Sequence, residues 1–245
     1  MPPTTAQRPF GSFLAAILIP VLAAAVKADE LRLDDGRILV GAVVVRGDQL
    51  EVTTRDGLVR VAKARVVTHR TDDELRHELA KQVQGADDSA FARLELAKRA
   101  FAYGLDRELW RLLDEAIAKT DAMRNQNDDA GAARWRGQDR RLREFLAQLE
   151  PEVLPRKDRD GNPAARIRAL LDRVRPDAPA SRRAAVVELL AREPGADADL
   201  RNAARRSGSE RARIAALEAL SRRDAAGNDR FVMRTAILDR AGEVR

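Results

Sequence analysis

The chain repeats itself near its C-terminal end, and that repetition limits its folding options more than any other feature. SRRAAVVELLARE, from Ser181, and ERARIAALEALSRR, from Glu210, superimpose at a shift of 30, so Ala185, Glu188 and Leu190 fall on Ala215, Glu218 and Leu220. A second pairing at a shift of 32 sets Asp197 and Leu200 of ADADLRNAARR against Asp229 and Val232 of NDRFVMRTAIL. Each unit therefore reads as two short amphipathic helices. A unit that short cannot bury its apolar stripe alone, so the units must stack on one another or on a neighbouring element.

Composition says what such stacks are made of. Of 245 residues 44% are apolar but only 4% aromatic, so cores must be built from Leu, Val, Ile and Ala, which closely approaching helices can accommodate. There is no cysteine, which excludes disulfides, thiolate nucleophiles and cysteine-based metal sites. The formal charge of +6 is unevenly spread. Residues 29–155 hold 22 basic and 25 acidic groups, whereas 156–245 hold 21 and 14. The basic C-terminal part is compatible with an acidic partner.

The first residues read as an address. Arg8 precedes FGSFLAAILIPVLAAAV, an uncharged run from Phe10 to Val26 that is followed by Lys27, Ala28 and the acidic pair Asp29 and Glu30. A basic start, an apolar stretch and small residues three and one before a cut are signal-peptide grammar, which places cleavage after Ala28 with Val26 and Ala28 as its recognition residues. The run is shorter than the ~20 residues a membrane span needs, and Pro20 interrupts it. The expectation is an exported chain, periplasmic or extracellular, with residues 1–28 removed and no stable membrane span. Export in turn argues against nucleic acid as the partner.

Residues 29–70 alternate apolar and polar side chains with period two, broken at Asp35-Gly36, Gly47-Asp48 and Asp56-Gly57. Five strands follow, at 30–34, 37–45, 49–54, 58–62 and 64–68. Leu31, Leu33, Ile38, Val40, Val43, Val45, Leu50, Val52, Val59, Val61 and Val66 are expected on one buried face. Five short strands in roughly forty residues resemble the small SH3-like barrels. Arg46-Gly47-Asp48 spells an adhesion tripeptide, but Gly-Asp is ordinary turn chemistry. His69 and His77 lack the i, i+4 spacing of a helical zinc motif.

From 71 to 150 the period becomes helical. Thr71 or Asp72 caps a helix ending at Gly85, and Ser89 opens another with Leu94, Ala97 and Phe101 on one stripe. Gly104 followed by Leu105 is a Schellman stop, and Asp106 is expected to cap a third helix with Leu109, Leu112, Leu113, Ala116 and Ile117 inward. The Ala97, Gly104 and Ala116 pattern resembles a tetratricopeptide unit over residues 88–121, although Leu109 stands where that family prefers alanine. Residues 122–131 read as a polar loop, and a further helix to Glu150 turns Trp135, Leu142, Phe145, Leu146 and Leu149 inward. Pro151 to Pro163 reads as a linker. Its DRDGN lacks the ligand order of a calcium loop.

Residues 164–245, with an Arg before each Ala-rich helix and a period near 30, resemble short bacterial HEAT-like repeats. The resemblance implies an α-solenoid that binds proteins or peptides. Arg245 falls where Arg183 and Arg213 precede their helices, so the sequence is expected to stop partway through a solenoid. Arg201 and Arg205 recur as Arg230 and Arg234, each pair at i, i+4, and stacking would align them into a ridge for an acidic partner. No nucleophile elbow, phosphate loop, zinc signature or dinucleotide fingerprint is present, so neither a cofactor nor catalysis is expected. The expected class is α+β, mostly α: a small β module, a helical hairpin region and a C-terminal solenoid acting as a scaffold. An envelope-polymer hydrolase or a polyanion-binding protein is the alternative.

Overall fold

The structure is a computed structural model that describes residues 28–124, 129–154, 156–159, 161–223, 227–233 and 235. Val26 of the expected cleavage site lies outside these residues.

Period-two alternation produces five antiparallel strands: β1 Asp29–Leu33, β2 Ile38–Arg46, β3 Gln49–Thr54, β4 Gly57–Ala62 and β5 Val66–Arg70, in the order β4-β3-β2-β1-β5. Strand β2 serves two partners. Its first half pairs with β1 up to Gly41 opposite Asp29, and its second half pairs with β3 from Ala42 opposite Thr53. Gly41 is the corner, because a Cβ there would stand 2.1 Å from the Thr53 carbonyl oxygen. A 3-10 turn at Lys63–Arg65 returns the chain to β5.

The small core is Leu31, Leu50 and Val52 with Leu39, Val43 and Val66 against them. Two residues expected on that face are exposed instead: Ile38 is 58% exposed and Val45 60% exposed. Leu39 rather than Ile38 pairs with Leu31, so Ile38 takes the opposite face. Val45 has the right parity but ends the strand beside the Gly47 turn. Val40 also points away from this core, toward the helices, where its side chain approaches Gly104.

Thr71 closes a capping box with Glu74 and opens α1, Asp72–Gly85. Ser89 caps α2, Ala90–Ala102, by accepting the Ala92 amide. Gly104, at φ +68°, ends α2 in a Schellman stop, with the Leu105 amide on the Ala100 carbonyl and the Gly104 amide on that of Phe101. Helix α3, Asp106–Arg124, returns antiparallel. Leu105, not Asp106, takes the cap position, since its carbonyl accepts the Leu109 amide. Asp106 sits in the first turn instead, where its charge suits the helix dipole.

The expected loop at 122–131 is shorter than its polarity suggested: α3 runs to Arg124 and α4, Asp129–Gln148, begins five residues later. The expected linker at 151–163 is also corrected. It passes through two single-turn helices, α5 Glu150–Val153 and α6 Arg156–Arg159, and Val153 and Leu154 are buried. Pro151 falls at the start of α5, where its missing N–H costs nothing.

Helices α7 Pro163–Leu171, α8 Ala180–Arg192, α9 Asp197–Arg206 and α10 Glu210–Ser221 continue a single apolar core that begins at Leu75 in α1 and extends to Leu220. The 30-residue self-similarity reappears as burial. Ala185 and Ala215, Val186 and Ala216, and Leu190 and Leu220 are each fully buried. Helical residues follow at 228–233.

Arginines join these units. Glu188, buried in α8, accepts Arg192 at 2.7 Å and Arg222 at 3.1 Å, the same position in successive units. Arg223 donates to the carbonyls of Ala191 (2.8 Å) and Glu193 (2.7 Å), oxygens left open at the C-terminal end of α8, and to the Asp197 carboxylate. Arg166 of α7 joins Glu150 to the buried Glu193.

Gly41→Ala is expected to destabilise the chain by about 3 kcal/mol through overpacking at the strand corner. Gly85→Ala, where a Cβ meets nothing within 4 Å, should change stability by less than about 1 kcal/mol. Urea unfolding of both variants checks the contrast.

Candidate functional site

Two helical stripes face each other across the start of the repeat region. On α7, Ala164, Ile167, Arg168 and Leu171 share one face that the C-cap residue Asp172 continues, and on α9 so do Asp199, Asn202, Ala203 and Arg206. Between them lies a groove of about 460 Å³, also lined by Ser207 after α9 and by Ser209 and Ala212 at the start of α10. Its floor is apolar, with Ile167, Val174 and Ala212 buried, while Arg168, Asp172, Asp199, Asn202 and Arg206 are exposed along its rim. No ion pair occupies Arg168, Arg206, Asp172 or Asp199 among the described residues. Several other arginines of the repeats, Arg166, Arg192, Arg222 and Arg223 among them, are held in ion pairs.

The expected arginine ridge is only partly assembled. Arg201 is half-buried and donates to Asn228 Oδ1 at 2.7 Å. The Arg201 and Arg205 guanidiniums lie over the Phe231 ring at 5.7 and 4.8 Å. These two side chains thus pack one unit on the next. Arg230 is exposed, and Arg234 lies outside the described residues. Reading for i, i+4 arginine pairs overlooked Arg168 and Arg206, whose signal was the stripe of Asp199, Asn202, Ala203 and Arg206 at helical spacing.

A second cleft, of about 200 Å³, lies where the β module meets the helices, lined by Ala28, Val40, Gly41, Gly104, Asp106 and Glu152 among others. Arg55, from the β3–β4 turn, fills one side. It donates to the Phe101 carbonyl at 2.7 Å, lies 4.0 Å over the Phe101 ring and pairs with Glu152 and, at 3.8 Å, with Asp106. Burial holds the Glu152 carboxyl above the usual carboxylate range. The Asp106 charge pushes it the same way and Arg55 opposes both. Ala28, the residue before the expected cut, is buried here and donates its amide to Asp72 at 3.4 Å.

His69 contacts Asp29 at 2.8 Å while His77 is exposed on α1, so the two are not brought together. Among the described residues no group of three or more His, Cys, Asp or Glu is arranged to hold a metal, and no helix is long and apolar enough to cross a membrane. Comparison with protein-family models, with curated proteins and with solved structures finds no match to this chain.

Because the folded state holds the Glu152 proton more tightly than the unfolded chain, this group's contribution to stability is complete in acid. It is lost as pH rises through the folded-state pKa. Glu152→Gln should therefore gain on the unaltered chain as pH rises from about 4 to 7. Urea midpoints across that range test the sign, and a difference independent of pH contradicts it.

Proposed function

We propose that this chain is an extracytoplasmic, non-enzymatic adaptor that binds a protein or peptide through its helical-repeat surface, with the α7–α9 groove as the contact. The observation that carries this reading is the pair of matched stripes with an apolar floor and an uncommitted rim. Extended peptides need such a surface: apolar side chains settle on the floor, while backbone amides and charges meet Asn202, the arginines and the aspartates of the rim. The arginines of the rim and the exposed Arg230 suit a partner with acidic residues.

The finer architecture belongs to the same proposal. An SH3-like β module is supported by its strand order, by the shared β2 and by the 3-10 turn before β5. HEAT-like stacking is supported by the matched burial of α8 and α10, and a tetratricopeptide-like hairpin by the buried Ala97 and Ala116 around Gly104. Export is supported by the apolar run from Phe10 to Val26.

The rival reading is a hydrolase of envelope polymers, or a protein that binds polyanions, and Glu152 beside Asp106 is the pair that favours the hydrolase among the described residues. Against it, Arg55 already holds both carboxylates. A titratable acid committed to an internal ion pair must give up that pair to act on a substrate.

Asn202→Trp fills the groove from an exposed position and should leave the melting temperature unchanged. Capture of the partner from an envelope extract is then expected to fall about tenfold, the scale on which losing one buried anchor acts. Undiminished capture by Asn202→Trp, or polymer hydrolysis abolished by Glu152→Gln, contradicts the proposal.

A further inference from the structure

Helix α4 carries a polar stripe that lines a cleft. Arg134, Gly137, Gln138 and Arg141 recur at i, i+3, i+4 and i+7 and so share one face. With Ser89, Ala90 and Phe91 at the start of α2, and Met123 near the end of α3, they line a cleft of about 340 Å³.

Gln138 is only 6% exposed, yet its Nε2 has no hydrogen-bond partner. A buried amide donor left open is costly, so its presence at the wall of a cleft points to an acceptor that arrives from outside. Neither Arg134 nor Arg141 has an ion pair among the described residues, and Arg141 lies 5.2 Å over the half-exposed Phe91 ring. Nearby carboxylates are committed elsewhere: Asp87 to Ser89, Asp88 to Arg93 and Lys119, and Asp139 to Arg143. The Ser89 hydroxyl takes the Ala92 amide and leaves the first-turn amides of Ala90 and Phe91 at the positive end of α2. Gly137 sits mid-helix without a positive φ, and a Cβ there would meet nothing within 4 Å. Packing does not require it, but it keeps the cleft open.

The guanidiniums and the positive end of α2 border one cleft and favour an anion, and the space and the Phe91, Met123 and Ala90 surfaces around them are more than a bare oxyanion needs. We propose that the cleft between the start of α2 and the Arg134–Arg141 stripe of α4 binds an organic carboxylate carried on an apolar group. The carboxylate accepts from the guanidiniums and, once the enclosed Gln138 amide turns toward the cleft, from its Nε2, and the apolar body lies against Phe91 and Met123. This site is separate from the α7–α9 groove and does not depend on it. A small free acid and the terminal carboxylate of a partner chain share this chemistry.

Calorimetric titration of the full chain with 3-phenylpropanoate, its primary amide and inorganic phosphate tests the assignment. Saturable binding of the acid is expected, with the amide and phosphate about tenfold weaker or worse, because charge-assisted hydrogen bonds and the apolar contact are each lost in one of them. Acetyl-Ala-Ala-Phe binding more tightly than 3-phenylpropanoate identifies a chain end as the source, and weaker binding identifies a free acid. Gln138→Leu supplies the readout that a merely structural role would not give. It should raise the melting temperature, by removing an unsatisfied donor, while weakening the acid. Equal binding of acid and amide, phosphate binding as tightly as the acid, no binding of any probe, or a Gln138→Leu variant that melts lower and binds as before would each overturn the proposal.

Discussion

An arginine that spans the gap between two helices and satisfies several oxygens at once is the interaction on which the rest of this structure depends. Alanine lets α8 and α10 approach closely, but small side chains bury little apolar area and cannot reach across to the next element. Arg223 reaches from the end of α10 to the open carbonyls of α8 and to Asp197, and Arg222 reaches Glu188. Arg166 ties the short helix α5 to the end of α8 through Glu193. The same device fixes the β module, where Arg55 grips the end of α2 and Arg70 pairs with Glu30 and Glu78 beneath Tyr103. Arg serves here because its planar fork offers five donors in fixed directions and stays charged. Removing one leaves a carboxylate such as Glu193, 6% exposed, without its counter-ion. That loss costs about 3–5 kcal/mol where the pair is fully buried.

Local chemistry was legible in the sequence wherever one residue type has one conformational use. Asp35-Gly36, Gly47-Asp48 and Asp56-Gly57 marked the hairpins, and Gly104-Leu105 marked the Schellman stop. What escaped was set by tertiary context. Ile38 looks like a core residue until Leu39 is seen to pair with Leu31, and the bend at Gly41 is required only because β3 passes 2.1 Å from where its Cβ would stand. Prolines made 151–163 look like a spacer, whereas Pro151 opens a helical turn and Val153 and Leu154 join the core. Polar side chains hid the reach of α3 and the early start of α4 because those turns are helical but exposed.

For the candidate sites the limit was different. Arginine spacing cannot say which guanidinium is already occupied. Arg201 and Arg205, expected to face a partner, lie against Asn228 and Phe231. Arg168 and Arg206 on the groove and Arg134 on α4 carry no ion pair among the described residues, and Arg141 has only the Phe91 ring. The distinction needs three dimensions, because it depends on whether a carboxylate or carbonyl from another element arrives within reach. The uncommitted groups border clefts with apolar floors, on elements whose backs are held by the internal arginines. Rigid backing of this kind limits the ordering cost when a ligand binds.

Hydrogen exchange of Arg223→Ala, read segment by segment in the full chain, tests the bridging role most directly. The residue lies after α10, but the carbonyls and carboxylate it holds belong to 191–197. Protection across 190–200 is predicted to fall by about tenfold or more, with β1–β5 unchanged, because the local opening energy of that distant segment includes the bridge. Faster exchange confined to the residues around 223, with 190–200 as protected as before, would contradict the claim that arginines carry the stacking.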